Sequence, residues 1–303
     1  MPKKLELGGV HLRRGDSFVQ VHNLPAKSVQ LTVTSPPYNI GKEYEQKTTL
    51  EKYLNEFRPF IEQLYRATTD RGSVCWQVGN YVSNGSVIPL DIPFFSLFHD
   101  AGFRLKNRII WHFRHGLHAR TRFSGRYETI LWFSKGPDPL FNLDPVRIPA
   151  LYPGKRAFKG PRKGMPTGHP GGKNPSDFWP DVLLEDWESS IWDLPNVKAN
   201  HPEKTSHPCQ FPIELVERCI LALSSPGDLV FDPFLGVGSS AIASDRHSRR
   251  FLGFELDSRY ISQARHRLAL ARKGELPTRK MGTPIASPRG KVSEFPAEWR
   301  DHR

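Results

Sequence analysis

Hydrophobic positions along the chain follow two periods in turn. Residues 10–14 and 29–34 are short runs of strand character, the second rich in β-branched side chains. Between 50 and 69, Leu50, Tyr53, Leu54, Phe57, Ile61, Leu64 and Tyr65 recur at helical spacing, and Gly72 is read as the stop. An apolar run at 73–78 predicts a buried strand, and 93–101 a helix closed by Gly102. Residues 108–113 and 128–133 predict a strand pair around a basic, glycine-containing loop. The pattern then lapses from 136 to about 202, where Pro, Gly and Lys crowd together. A segment of that length without periodicity is either functional or disordered, and Trp179, Trp187 and Trp192 favour at least partial order. Regularity returns with a helix at 212–224, a strand at 228–232, a helix at 239–246, a strand at 251–255 and a helix at 258–272. Strands alternating with helices predict an α/β sheet.

Two interruptions of this pattern carry chemistry. The strand at 29–34 stops at Ser35-Pro36-Pro37-Tyr38. Neither proline has an N–H to give a ladder, and each restrains the residue before it. A stiff extended corner thus holds a hydroxyl and an aromatic ring at a strand's end. The second is Asp232-Pro233-Phe234-Leu235-Gly236-Val237-Gly238-Ser239-Ser240-Ala241, with glycines in a strand-to-helix turn and Glu255 lying 19 positions beyond Gly236 at the end of the next strand. Glycines that admit a ligand to the backbone, and a carboxylate that accepts from ribose hydroxyls, are the layout of a nucleoside site. Only 48 residues follow Glu255, so the rest of the sheet must come from the N-terminal half. Ligands of such sheets bind at the carboxyl ends of the strands, which sets the proline corner opposite the glycine loop across one crevice. A nicotinamide-dependent oxidoreductase would share the glycine loop, but it has no second half-sheet here and no use for the proline corner.

Charge adds a partner. The chain of 303 residues carries a formal +12 with a pI near 9.7. From Arg104 to Lys163 there are 14 Lys/Arg against three Asp/Glu, so nearly all of the excess sits in one fifth of the chain. Such a tract is the electrostatic footprint of a polyanion, or else a solvated basic face. Arg114, Arg120, Arg122, Lys155, Arg156, Arg162 and Lys163 are its candidate phosphate contacts. His112, His115 and His118 stand in the same basic loop without a fourth ligand type, which points to phosphate or solvent rather than metal. Three scattered cysteines fit a reducing, cytoplasmic setting, and Cys75 reads as a buried, inert thiol in an apolar strand. The start lacks an apolar signal core, and no window approaches 18 apolar residues, so no membrane contact is expected.

With these motifs in place, the chain resembles the amino-group DNA methyltransferases. Thr34-Ser35-Pro36-Pro37-Tyr38 resembles their catalytic motif, and Asp232 to Ser240 resembles their S-adenosylmethionine motif. Catalytic motif first and cofactor motif last is the permuted order of the beta class. His207-Pro208-Cys209-Gln210-Phe211-Pro212 is similar to a further cofactor motif, and Arg126-Tyr127-Glu128-Thr129-Ile130-Leu131 to a motif on the base-pocket wall, with Tyr127 where a histidine is common. The resemblance covers roughly 10–270. It implies a permuted Rossmann-like α/β sheet with helices on both faces and an irregular target-recognition insertion. The domain organisation it implies is a catalytic half at 1–135, a target-recognition region at 136–201, a cofactor half at 202–273 and a flexible basic tail at 274–303. It implies S-adenosyl-L-methionine held by Asp232, Phe234, Gly236, Gly238, Ser239, Glu255 and His207, with Asp16 either an adenine contact or a plain turn carboxylate. It implies catalysis by Ser35, Pro36, Pro37 and Tyr38 on a base flipped out of double-stranded DNA. A cognate restriction endonuclease is the partner such an enzyme would have. Ser rather than Asp at position 35 implies cytosine N4 as the target, with adenine N6 as the alternative. A catalytically dead DNA-binding protein is the remaining class, and the intact Ser35, Tyr38, Gly236 and Glu255 speak against it. Neither the recognition sequence nor the oligomeric state is legible.

Overall fold

Two strands written almost 200 residues apart lie side by side at the centre of the molecule. The computed structural model describes residues 7–39, 47–83, 85–113, 118–150, 152–179, 196–197 and 201–279. In chain order the elements are β1 (Val10–Arg14), a short helix α1 (Ser17–Gln20), β2 (Val29–Thr34), α2 (Leu50–Ala67), β3 (Thr68–Val78), β4 (Asn80–Ser83), β5 (Ser86–Pro89), α3 (Asp91–Asp100), β6 (Arg104–His112), β7 (Tyr127–Ser134), β8 (Phe178–Trp179), α4 (Ile213–Leu223), β9 (Leu229–Asp232), α5 (Ser239–Arg246), β10 (Arg250–Glu255) and α6 (Ser258–Lys273). Among the described residues, eight strands form one sheet in the order β1-β10-β9-β2-β3-β7-β6-β8. The first five are parallel, β7 runs against both β3 and β6, and β8 is parallel to β6. The join between the halves is β2 against β9, with Leu31 opposite Val230 and Thr32 opposite Phe231. That join is the permuted arrangement that the sequence predicts.

Alternate strand residues feed two cores. Val74, Trp76 and Val78 point to the face covered by α2 and α3, where Phe57, Phe60, Phe94 and Phe98 pack. Cys75, Leu31 and Val33 point to the other face, against Val216, Cys219 and Ile220 of α4 and the apolar sides of α5 and α6. Cys75 is buried beside Cys219, and that contact together with burial raises its thiol pKa well above the ordinary value, which fits an inert core thiol.

Several boundaries differ from expectation for identifiable reasons. Helix α2 stops at Ala67, because Thr68 already pairs with Val29 and begins β3. Gly72 is therefore no helix stop: it sits inside β3 at a register shift, where a Cβ would lie 2.6 Å from the Thr68 methyl and 3.0 Å from the Gln30 carbonyl. Helix α3 starts at Asp91, two residues before Pro93, since a proline in the first turn forfeits no intrahelical bond. The β4–β5 hairpin and α1 appear in no periodicity. Residues 136–179 are partly ordered: Asp144–Val146 forms a 3-10 turn, Ile148 bridges Lys173, and Arg156 bridges Pro166. Trp187 and Trp192, and the tail beyond 279, lie outside the described residues.

Candidate active site

The proline corner and the glycine loop meet because β2 and β9 end together. Thr34 Oγ1 donates to Asp232 Oδ1 at 2.6 Å, Ser240 Oγ donates to Oδ2 at 2.5 Å, and the Phe234 amide donates to Oδ1 at 3.0 Å. Asp232 is wholly buried, and burial pushes its carboxyl up to about 6 against the pull of those three donors. It is thus a strut between the two strand ends, placed under the crevice rather than on its wall.

The crevice itself is a cavity of about 460 Å³, within the usual range for a small organic ligand. Its wall includes Ser35, Pro36, Pro37 and Tyr38 on one side and Phe234, Gly236, Ser239 and Glu255 on the other. Asp16 and His207 close it, so ten of the sequence-predicted residues converge there. Asp232 and Gly238 do not line it: Gly238 takes φ +82 as the N-cap of α5, where a Cβ would press on Ala264 at 3.0 Å.

Glu255 is oriented before any ligand arrives. Its Oε2 accepts from the Gly236 amide and its Oε1 from the Asp257 amide, each at 2.9 Å. Burial raises its pKa, and those two amides oppose the rise. Each oxygen keeps a lone pair for a hydroxyl donor. Gly236 adopts φ +53, and a Cβ there would stand 3.3 Å from His207 Nε2, so the loop approaches the His207 segment only as glycine. The His207 ring lies edge-on to Tyr260 at 4.6 Å, and Ser239 Oγ donates to the Phe211 carbonyl at 3.1 Å. Asp16 caps α1 through the Phe18 amide at 2.9 Å and lines the cavity as well, so both readings of this residue have a physical basis.

At the other end, Tyr53 OH donates to the Pro37 carbonyl at 2.6 Å, fixing the corner from α2. Ser35 Oγ and Tyr38 OH are 3.0 Å apart, and Tyr38 OH donates to Glu128 Oε2 at 3.4 Å. Gly79 leaves room for the Tyr38 ring, since a Cβ there would meet it at 3.0 Å. Gln210, within the 207–212 motif, also lines the cavity; sequence reasoning missed Phe18 and Tyr260 on its wall, and Tyr53 and Gln77 behind the corner. For Phe18 and Tyr260 a signal existed, as each follows an Asp N-cap at the carboxyl end of a strand. Gln77 carries no local signal, being one more residue of a buried strand.

The described basic candidates are exposed loop residues and do not line the crevice. Arg120 and Arg122 follow β6, and Lys155, Arg156, Arg162 and Lys163 lie on a loop held by Ala157 N to Met165 O and Thr167 N to Lys155 O. Arg114 and His115 lie outside the described residues. Among the described residues no group of His, Cys, Asp and Glu is placed to hold a metal ion, and no helix is long and apolar enough to cross a membrane.

A permuted Rossmann-like sheet with a nucleoside-type site at its switch point defines a class of group-transfer enzyme, and comparison with known proteins narrows it. Residues 29–266 match the N6/N4 DNA methylase family model, and the chain belongs to that family. It is 43% identical over 251 residues to the type II methyltransferase M.BglII of Bacillus subtilis, across 82% of this chain and 66% of that protein. It is 33% identical over 263 residues to the DNA adenine methyltransferase YhdJ of Escherichia coli K12, across 85% of this chain and 82% of that protein. A structure of TTHA0409 from Thermus thermophilus, complexed with S-adenosyl-L-methionine, superposes with a TM-score of 0.57 at 27% identity, covering 88% of this chain and 95% of that one. S-adenosyl-L-methionine is the cofactor, and the crevice fits it: a preset carboxylate for hydroxyls, a glycine where a Cβ would intrude, and a cavity of adequate size.

Proposed function

We propose that this protein transfers a methyl group from S-adenosyl-L-methionine to the exocyclic N4 of a cytosine flipped out of duplex DNA at a specific sequence. The observation that carries the reading is a single crevice with Ser35-Pro36-Pro37-Tyr38 at one end and the Gly236–Glu255 loop at the other. An exocyclic amine is a weak nucleophile because its lone pair is delocalised into the ring. Ser35 Oγ and the Pro36 carbonyl accept its hydrogens and favour rehybridisation of the nitrogen, while Tyr38 stacks on the base. The prolines hold these groups in place in advance, which spares ordering entropy at reaction. The cofactor supplies an electrophilic methyl group; Glu255, Gly236, Phe234, Ser239, His207 and Asp16 hold it. Arg120, Arg122, Lys155, Arg156, Arg162 and Lys163 contact phosphates, and 136–201 reads the sequence. A serine at 35 adds no charge beside the pyrimidine, which favours cytosine. Adenine N6 is the second reading, favoured by the likeness to YhdJ. A cognate endonuclease would be the partner in a restriction–modification pair. Incubating plasmid DNA with the purified protein and methyl-labelled cofactor tests the reading. Label should enter duplex at one recurrent sequence, and DNA left unlabelled across varied sequences would refute it.

A further inference from the structure

The 3.0 Å contact between Ser35 Oγ and Tyr38 OH has no direction of its own, since either hydroxyl can donate. Its surroundings supply one. Tyr38 OH also reaches Glu128 Oε2 at 3.4 Å, and Gln77 Nε2 donates to the same oxygen at 2.5 Å. Gln77 stands near the end of β3 and Glu128 at the start of β7, neighbouring antiparallel strands that pair Gln77 with Ile130 and Val78 with Thr129. The carboxylate is thereby fixed by the sheet rather than by a loop. An ionised carboxylate only accepts, and a tyrosine hydroxyl has one proton. The Tyr38 proton therefore goes to Glu128, and the Tyr38 oxygen meets Ser35 as an acceptor. Ser35 then spends its own proton on Tyr38. Toward the cavity that it lines, Ser35 has only lone pairs to offer.

We propose that Glu128, anchored by Gln77, sets the direction of the chain Ser35–Tyr38–Glu128, so that Ser35 meets the target base as an obligate acceptor and the proton shed by the amine leaves along the same chain. The proposal rests on the reading of Ser35 as the residue that receives the amine. Its selectivity follows directly. An amine supplies the donor that Ser35 needs, whereas a ring carbonyl in the same place would set acceptor against acceptor. The step balances as follows. The nitrogen lone pair forms the N–C bond while the electrons of the C–S bond remain on sulfur, which becomes a neutral thioether. The nitrogen, now positive, gives one proton to Ser35 Oγ. The Ser35 proton passes to Tyr38, and the Tyr38 proton to Glu128, whose carboxylate becomes a carboxylic acid and later releases the proton to water. Glu128 acts through two other side chains and is a positioning residue. Its distinction from a packing residue is the charge that it carries.

The test is single-turnover methyl transfer by the parent, Glu128→Gln, and Glu128→Ala with added formate or formamide, with cofactor and duplex affinities measured alongside. Glu128→Gln keeps the shape and loses the obligate acceptor. Its transfer rate should fall about a hundredfold, as expected when a proton route is lost, with both affinities within about twofold of the parent. Formate should restore part of the Glu128→Ala rate and formamide should not. Transfer by Glu128→Gln at nearly the parental rate, or rescue by formamide equal to that by formate, overturns the proposal and leaves the proposed function standing. A folded parent that methylates no duplex overturns the proposed function and this proposal together.

Discussion

At the scale of single residues, the crevice works by fixing side chains before a ligand binds. Glu255 is held by two amides, so its loss removes a charged acceptor that needs no reorganisation. Glu255→Ala should weaken S-adenosyl-L-methionine binding by about 1.5–3 kcal/mol, the range for hydrogen bonds to a charged group. Gly236→Val should abolish binding, because φ +53 strains a β-branched residue and its Cβ faces His207. Calorimetry on both variants checks this, and parental affinity in either would move the cofactor to another loop. Ser35→Ala should keep cofactor and DNA affinity yet lose most turnover, since the lost contact strengthens only as nitrogen rehybridises. These residues were legible in the sequence because each interrupts a pattern: prolines that end a strand, and glycines between a strand and a helix. Gln77 and Tyr53 were not, because their part depends on which strand or helix lies behind the corner.

At the scale of elements, β2 and β9 are tied end to end by a buried carboxylate. Asp232 titrates at about 6 in the fold against 3.8 as its ordinary value, so the folded protein binds this proton more tightly than the unfolded chain. The stability it contributes is complete below about pH 3.8 and is lost as the pH rises through about 6. That loss amounts to about 3 kcal/mol, since each pKa unit is worth about 1.4 kcal/mol. Asp232→Asn does not titrate, so the parent should lose stability relative to it between pH 4 and pH 7 in denaturant melts. A constant difference across that interval would contradict the assigned burial. Helices and parallel strands were readable from periodicity, and so was the permuted order, because the proline corner precedes the glycine loop. The β4–β5 hairpin had a readable signal that periodicity overlooks: an Asn-Gly pair at 84–85, with Gly85 at φ +76. Gly72 misled for the opposite reason, since a glycine beyond a helix and a glycine at a strand irregularity look alike until the pairing with β2 is known.

Across the whole molecule, charge is separated from chemistry. The crevice lies at the carboxyl ends of β2, β9 and β10, while none of the described candidate phosphate contacts, on the loop after β6 and within 152–169, lines it. On the proposed reading, those loops grip phosphates so that the sheet can present its crevice to a flipped base. Reversing Lys155, Arg156, Arg162 and Lys163 together should weaken binding to every duplex and flatten the dependence of affinity on salt, because fewer counterions are released. An unchanged salt slope in a binding titration would place the DNA footprint elsewhere. The basic tract was legible as composition. How its loops fold was not, because short backbone pairings such as Ala157 to Met165 leave no hydrophobic period.

On the proposed reading, this crevice methylates an exocyclic amine, and Ser35 directs it to cytosine. Digestion of methylated DNA to nucleosides, followed by mass spectrometry, tests it most directly. N4-methylcytosine should form with the parent and be lost with Ser35→Ala. N6-methyladenine without N4-methylcytosine would contradict the target assignment, and the absence of any methylated nucleoside would contradict the claim itself.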